Sequence, residues 1–212
     1  INNCNSSTLS PSEEDNDGDG YVECVIDAGG WDGLPSVVGG EDCDDNESTR
    51  YPGAAELCDG IINDCNTTVL ADNEIDNDGD GYVECSIDVG GWDGTPSVIG
   101  GDDCDDSEST KYPGAPELCD GIINDCNTAS LPGNETDDDS DGYVECSIDG
   151  GGWDGAPSVI GGNDCDDTKD YVYPGAPELC DGIINNCHTG TLGDDEIDDD
   201  VSNSNFAKRS QT

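Results

Sequence analysis

Basic residues are scarce in this chain. Five Lys and Arg stand against 52 Asp and Glu, which gives a formal net charge of -47 over 212 residues. A compact chain with this charge repels itself, so we expect bound cations to compensate the folded state. Nucleic acid and anionic membrane surfaces are not expected as partners, because phosphate contacts need clustered Lys and Arg.

Large apolar residues are also few. Methionine is absent, Phe and His occur once each, and no apolar run approaches the roughly 20 residues that span a bilayer, so membrane insertion is not expected. Hydrophobic residues make up 32% of the chain beside 30 glycines. One large core is therefore not expected, and small units of this kind need disulfides or metal ions. One His cannot supply a recurring Ser-His-Asp or Cys-His device, so we expect no enzyme.

What the chain has in abundance is repetition, with a period of 61 residues. Neighbouring units in such a sequence stack into a linear tandem array. The hydroxyl-rich connectors between units are interpreted as solvated linkers. The predicted organisation is the end of an incomplete preceding repeat with a linker (1–14), repeat 1 (15–66), a linker (67–75), repeat 2 (76–127), a linker (128–136), repeat 3 (137–188), and a linker, degenerate fourth acidic loop and tail (189–212).

Each repeat has two short apolar segments, Tyr-Val-Glu-Cys and Ser-Val-Val in repeat 1, separated by Gly and Pro. This pattern predicts a small β-hairpin. The segment after Pro52 suits one helical turn that ends at Gly60. The predicted fold class is therefore small, irregular, disulfide- and metal-stabilised repeats with short β-hairpins and single helical turns, in a linear tandem array.

An Asp-x-Asp-x-Asp-Gly pattern opens every repeat, and we call residues 15–23, 76–84 and 137–145 the acidic loops. Calcium loops begin in this way, with carboxylates at positions 1, 3 and 5, Gly at 6 and a backbone carbonyl at 7. Position 12 is Ile in all three loops, so the bidentate carboxylate of an EF-hand is missing. The missing oxygens are expected from the closing clusters, residues 42–45, 103–106 and 164–167.

A second site in each repeat is predicted from the closing cluster together with a later Glu, Asp and Asn set, so that each repeat would hold about two Ca²⁺. The candidate metal ligands of both sites are Asp15, Asp17, Asp19, Tyr21, Glu23, Asp42, Asp44, Asp45, Glu56, Asp59, Asn63, Asp64, Asp76, Asp78, Asp80, Tyr82, Glu84, Asp103, Asp105, Asp106, Glu117, Asp120, Asn124, Asp125, Asp137, Asp139, Asp141, Tyr143, Glu145, Asp164, Asp166, Asp167, Glu178, Asp181 and Asn185.

Thirteen cysteines indicate an oxidising compartment and a disulfide framework. One scheme pairs Cys24 with Cys43 and Cys58 with Cys65, and leaves Cys4 for a bond between subunits. Its rival pairs Cys4 with Cys24, Cys43 with Cys58 and Cys65 with Cys85, and leaves Cys187. The cysteines expected in disulfides are Cys24, Cys43, Cys58, Cys65, Cys85, Cys104, Cys119, Cys126, Cys146, Cys165, Cys180 and Cys187. Candidate sites for glycan attachment are Asn5, Asn46, Asn66 and Asn134.

Four strings occur in order three times: Asp-x-Asp-Gly-Asp-Gly-Tyr (with Ser in place of the first Gly in the third copy), Asp-Cys-Asp-Asp, Tyr-Pro-Gly-Ala-x-Glu-x-Cys-Asp-Gly, and Asn-Asp-Cys or Asn-Asn-Cys. Together they resemble the MopE-type metal-binding repeats of secreted and surface proteins of bacteria or archaea. The acidic loops are similar to those of thrombospondin type-three repeats and dockerins, which implies Ca²⁺. The name of the MopE-type family carries an association with copper. This chain departs from the usual family pattern by having Ile62, Ile123 and Ile184 where Asp is common. Copper is disfavoured because His188 is the one His and Met is absent.

These features predict a secreted, calcium-binding structural protein at the cell surface, a subunit of a fibre or filament whose copies join head to tail. The alternative is a monomeric extracellular module for metal binding, storage or adhesion within a larger surface protein.

Overall fold

The computed structural model describes residues 10–193 and divides the chain into two compact units, residues 1–115 and 116–212. The division falls inside repeat 2. Cys4, Asn5 and the degenerate fourth acidic loop lie outside the described residues. No helix in the described part is of a length and hydropathy that could cross a bilayer.

Regular secondary structure is sparse among residues 10–193. The first unit has the 3-10 helices Pro11–Glu13 and Asp72–Glu74, and the second has Gly133–Glu135. Strand β1, Tyr143–Val144, pairs with β2, Gly161–Gly162, in parallel. The first unit has a matching parallel bridge between Tyr82 and Gly100. Irregular, disulfide-rich tandem repeats are thus confirmed as the fold class.

Two details of the predicted secondary structure are wrong. The apolar segments do not form a hairpin, because the Gly-rich segment between them is long enough to return the chain for parallel pairing, which a tight turn cannot do. The segment after Pro52 is a turn rather than a helical turn: Ala54 N donates to Tyr51 O at 3.0 Å, and Gly53 has a φ of 84°. The single helical turns lie in the connectors instead.

Each repeat has a very small core. Val22, Val83 and Val144 are fully buried, and Trp31 and Val37 pack against Val22 and Cys24. Tyr21 of the acidic loop stacks on Tyr51 with ring centroids 5.0 Å apart, and the same stack recurs in the other repeats. So few apolar side chains cannot hold a repeat of this size without covalent bonds or ions.

The disulfides differ from both predicted schemes. Cys43 bonds to Cys65 and Cys165 bonds to Cys187, each within one repeat. Cys58 bonds to Cys85 and Cys119 bonds to Cys146, and these two bonds join one repeat to the next. Cys24, Cys104 and Cys126 are also disulfide-bonded. Cys180, which was expected in a disulfide, is free and exposed.

Backbone hydrogen bonds and a tryptophan accompany each disulfide between repeats. In the first unit, Asp93 N and Gly94 N donate to Asp59 O at 2.8 and 3.0 Å. The Trp92 ring lies against Gly60, where an added Cβ would come within 2.5 Å of the ring. Asp154 N, Gly155 N and Trp153 repeat these contacts at Asp120 and Gly121 in the second unit. The junction between repeats 1 and 2 and the junction between repeats 2 and 3 therefore have the same structure.

A glycine packed against the cysteine that ends each Tyr-Val-Glu-Cys segment sets how closely two chain segments approach. An added Cβ at Gly40, Gly101 or Gly162 would lie 2.1, 2.1 or 2.2 Å from the carbonyl oxygen of Cys24, Cys85 or Cys146. That carbonyl also accepts the N–H of the residue after the glycine, as in Asp102 N to Cys85 O at 3.0 Å. Only glycine allows this bond without moving the backbone.

We therefore expect Gly101→Ala to destabilise the protein by about 1–3 kcal/mol or more, as overpacking against rigid backbone does. Gly133→Ala is the matched control, because a Cβ there meets no atom within 4 Å. Thermal unfolding of both variants measures the difference. Equal melting temperatures would contradict the close approach at Gly101.

Candidate metal centre

Backbone N–H groups shape each acidic loop by holding its carboxylates. In repeat 1, Gly18 N and Gly20 N donate to the two oxygens of Asp15 at 2.7 and 3.1 Å. Asp19 N donates to Asp17 Oδ1 at 3.1 Å, and Tyr21 N donates to Asp19 Oδ1 at 2.7 Å. Gly20 has a φ of 96°, which a side chain would make costly. The alternating Asp pattern thus turns its carboxylates inward.

The closing cluster meets the acidic loop as the sequence predicts, but by another route than a Cys24–Cys43 bond. Asp42 N donates to Val22 O at 3.0 Å. Asp45 accepts Asn16 N at 3.1 Å and Asn16 Nδ2 at 2.6 Å. Oxygens of Asp17, Asp42 and Asp45 come within 4.8 Å of one another. The first candidate site is therefore assembled from two distant segments.

Each of these sites contains buried oxygens without a hydrogen-bond partner. In repeat 1, Asp17, Asp19 and Asp42 each accept a backbone N–H at Oδ1, while Oδ2 of each is buried without a partner. The equivalent Oδ2 atoms in the other repeats are in the same state: Asp78, Asp80, Asp103, Asp139, Asp141 and Asp164. Buried polar atoms are rarely left in this way, since each loses its hydration for nothing. A cation in contact with all three oxygens would satisfy them.

The pKa values of these carboxyls also indicate that their ionised forms are disfavoured in the folded protein. Burial raises the pKa of Asp42 to about 6, with the charges of Asp19, Asp17 and Asp45 adding to it, while the Asp44 N–H opposes it. Burial likewise raises the pKa of Asp19, Asp80 and Asp141. The folded protein without a cation therefore holds negative charges that favour protonation.

Other predicted ligands of the first site are exposed or paired with basic side chains. Glu23, Glu84 and Glu145 are exposed. Asp44 pairs with Arg50 at 2.8 Å and Asp105 pairs with Lys111 at 2.9 Å. Asp166 pairs with Lys169. The third residue of each closing cluster thus forms an ion pair with a basic side chain of its own repeat.

The second predicted site has its polar atoms engaged in backbone hydrogen bonds. Glu56 accepts Asn63 N and Asp64 N at 3.0 and 2.8 Å. Asn63, fully buried, accepts Leu57 N at 2.7 Å and donates to Asp59 Oδ2 at 3.2 Å. Asp64 accepts Gly53 N at 2.6 Å. The same contacts recur in the second unit. Glu117 accepts Asn124 N and Asp125 N, and Glu178 accepts Asn185 N and Asn186 N. The ion predicted there stays a prediction.

One buried carboxylate at the junction was missed by the sequence reasoning. Glu74, 2% exposed, accepts Gly60 N at 2.8 Å through Oε2, while its Oε1 is buried without a partner. Glu135 accepts Gly121 N at 3.0 Å in the same way. Burial raises the pKa of both carboxyls. The available signal was a Glu two residues before every acidic loop, and it corrects the interpretation of the connectors as simply solvated.

The fold and the sites define a class, that of disulfide-bonded tandem repeat proteins with an acidic loop in every unit. Within that class, residues 42–69, 103–130 and 164–191 match the Cu-binding MopE family, described as "Putative metal-binding motif". The chain carries three copies of this motif, which confirms the resemblance. The matched segments cover less than half of the chain and begin at the closing clusters, so the acidic loops lie outside them. Comparison with curated proteins and with solved structures finds no match.

The raised pKa values predict how the stability of the metal-free protein depends on pH. The Asp42 carboxyl has a pKa of about 6 in the folded protein and an ordinary value of 3.8. Its contribution to folding stability is fully present below about pH 3.8 and is lost as the pH rises through 6. We therefore expect the metal-free protein to melt at a higher temperature at pH 4.5 than at pH 7.5. Asp42→Asn should reduce this difference. A metal-free protein that melts higher at pH 7.5 would contradict the electrostatics described.

Proposed function

We propose that this chain binds Ca²⁺ in each acidic loop and that the bound ions stabilise the repeats of an extracellular structural protein. The observation that carries the proposal is the set of three buried, unpartnered Oδ2 atoms in every repeat. Three ions, one for each loop, are the number that this geometry supports. The prediction of about two ions per repeat stays open for the second cluster.

The ligand chemistry favours calcium over copper and magnesium. All the unpartnered atoms are hard carboxylate oxygens, whereas copper prefers imidazole and sulfur ligands. His188 is exposed, and the cysteines of the matched segments are in disulfides except Cys180. Calcium accepts six to eight oxygens in flexible geometry, while magnesium demands a near-ideal octahedron. A loop whose carboxylates come from two segments suits the larger ion.

Ion binding would act directly on folding. The acidic loop and its closing cluster come together only in the folded repeat, so the free energy of binding contributes to the free energy of folding. The small cores around Val22, Val83 and Val144 leave the repeats dependent on that contribution. This role uses the carboxylates as ligands, and we infer a structural rather than an enzymatic function.

Removal of metal should therefore loosen the protein. We expect a larger hydrodynamic radius and faster proteolysis after complete calcium removal, both reversed by Ca²⁺ but not by Cu²⁺. Asp80→Asn should lower the number of ions measured by equilibrium dialysis and elemental analysis from three to two. Asp93→Asn, at an exposed position of the same repeat, is the control. An unchanged radius without metal, or an Asp80→Asn protein that keeps every ion, would contradict the proposal.

We further infer that copies of the chain join head to tail in an extracellular fibre. The support is the end of repeat 3: Leu179 is 44% exposed and Cys180 is exposed and free, although their equivalents Leu57 and Cys58 are half-buried and buried at a junction. Cys58 and Cys119 bond to cysteines 27 residues later, whereas the residue at that distance from Cys180 is Ala207. A repeat supplied by another copy would complete this junction. Disulfides support an oxidising compartment, and exposed Asn46, Asn66 and Asn134 are suited to carry glycans.

Electron microscopy of the protein in Ca²⁺ tests this assembly. We expect filaments, and we expect Cys180→Ser to abolish disulfide-linked oligomers on non-reducing gels while calcium binding is kept. Ser147→Ala is the control, because Ser147 is also an exposed residue of repeat 3 but has no thiol. Monomers under every condition would favour the alternative, a monomeric metal-binding, storage or adhesion module.

A further inference from the structure

The three acidic loops differ at a residue that contacts the closing cluster. This residue is Asn16 in repeat 1, Asn77 in repeat 2 and Asp138 in repeat 3. The Asn16 side chain donates to Asp45 Oδ2 at 2.6 Å, and the Asn77 side chain donates to Asp106 Oδ2 at 2.6 Å. In repeats 1 and 2, the last carboxylate of the closing cluster is therefore held by a neutral amide.

Repeat 3 keeps only half of this contact. Asp138 N donates to Asp167 Oδ1 at 3.1 Å, as the backbone does in the other repeats. An ionised carboxylate has no proton to donate, so Asp138 cannot replace the amide. Asp167 Oδ2 is consequently buried without a hydrogen-bond partner, in a side chain that is 3% exposed. The equivalent atoms of Asp45 and Asp106 both have their amide donor.

The freed oxygen lies beside the candidate ion position. In repeat 1, oxygens of Asp45, Asp17 and Asp42 come within 4.8 Å of one another. In repeat 3, Asp167 interacts electrostatically with Asp139 and Asp164, the equivalents of Asp17 and Asp42, and also with Asp138. The loop and closing cluster of repeat 3 thus contain four buried carboxylate oxygens without a hydrogen-bond partner, where those of repeats 1 and 2 contain three.

The rest of the loop is preserved, which isolates this difference. Ser140 replaces Gly18 and Gly79 with a φ of 70°, yet its N–H donates to Asp137 Oδ1 at 2.8 Å, as Gly18 N does to Asp15 at 2.7 Å. Gly142 N still donates to Asp137 Oδ2 at 3.1 Å. The backbone of the loop in repeat 3 is therefore not what sets it apart.

We propose that repeat 3 is the high-affinity calcium site of the chain, because Asp138 leaves Asp167 available as a further ligand and adds a negative charge beside the ion. This inference rests on calcium binding by the acidic loops as proposed above. Asp138 is a positioning residue, since it acts through Asp167. One extra charge about 6 Å from a divalent ion, even at a water-like dielectric constant, strengthens binding about tenfold.

Exchanging the residues tests the proposal in both directions. Calcium titration of the full chain against a competing chelator should show one ion bound about tenfold more tightly than two others. Asp138→Asn should leave three ions of equal, weaker affinity, and Asn77→Asp should give two tight ions. Asn is native at this position in repeats 1 and 2, and Asp is native there in repeat 3. Each exchange therefore introduces a residue that an equivalent loop already accommodates. Ser140→Gly is the control, and we expect it to keep one tight ion.

The outcomes separate this proposal from the one on which it rests. Three equivalent ions in the unchanged protein, a tight ion that persists in Asp138→Asn, or no second tight ion in Asn77→Asp would overturn the inference and leave calcium binding intact. A chain that binds no calcium would overturn both. A loss of tight binding in Asp138→Asn without a gain in Asn77→Asp would show a local structural effect and would also overturn it.

Discussion

Repulsion among the carboxylates of each acidic loop is the constraint on which the rest of the structure depends. Backbone N–H groups of the loop and its closing cluster donate to Oδ1 of Asp17, Asp19 and Asp42, which leaves Oδ2 of each residue buried without a hydrogen-bond partner. Gly20, whose N–H donates to Asp15, has a φ of 96°, which residues with a side chain rarely adopt. Without a cation, the arrangement combines desolvation with like-charge repulsion, and a bound cation as proposed would relieve both.

The remaining structure keeps the two halves of each site together. In repeat 1, backbone hydrogen bonds such as Asp42 N to Val22 O place the closing cluster beside the loop. The Tyr21–Tyr51 stack ties the loop to the next turn, and the Cys43–Cys65 disulfide fixes the far end. Cys58–Cys85 and Cys119–Cys146 then connect one repeat to the next. With a core of only a few buried Val, Ala and Cys side chains, the described repeats depend on these links more than on apolar burial.

Spacing within the sequence was sufficient to predict the acidic loops, because the ligand pattern is local and Gly marks the turn. It also predicted the convergence of the closing cluster, because Ile at position 12 leaves each loop short of oxygen ligands. The direction of strand pairing could not be predicted, because a Gly-rich segment of this length permits either direction. Cysteine pairing and the role of Glu74 depend on contacts between consecutive repeats, which no spacing within one repeat reveals.

A density map of the protein in Ca²⁺ at side-chain resolution tests the central claim most directly. The account predicts an ion in every acidic loop, 2.3 to 2.6 Å from Oδ2 of Asp17, Asp19 and Asp42 and of their equivalents, as calcium–oxygen distances require. Loops that contain only water, or carboxylates turned outward to solvent with no ion between them, would contradict it.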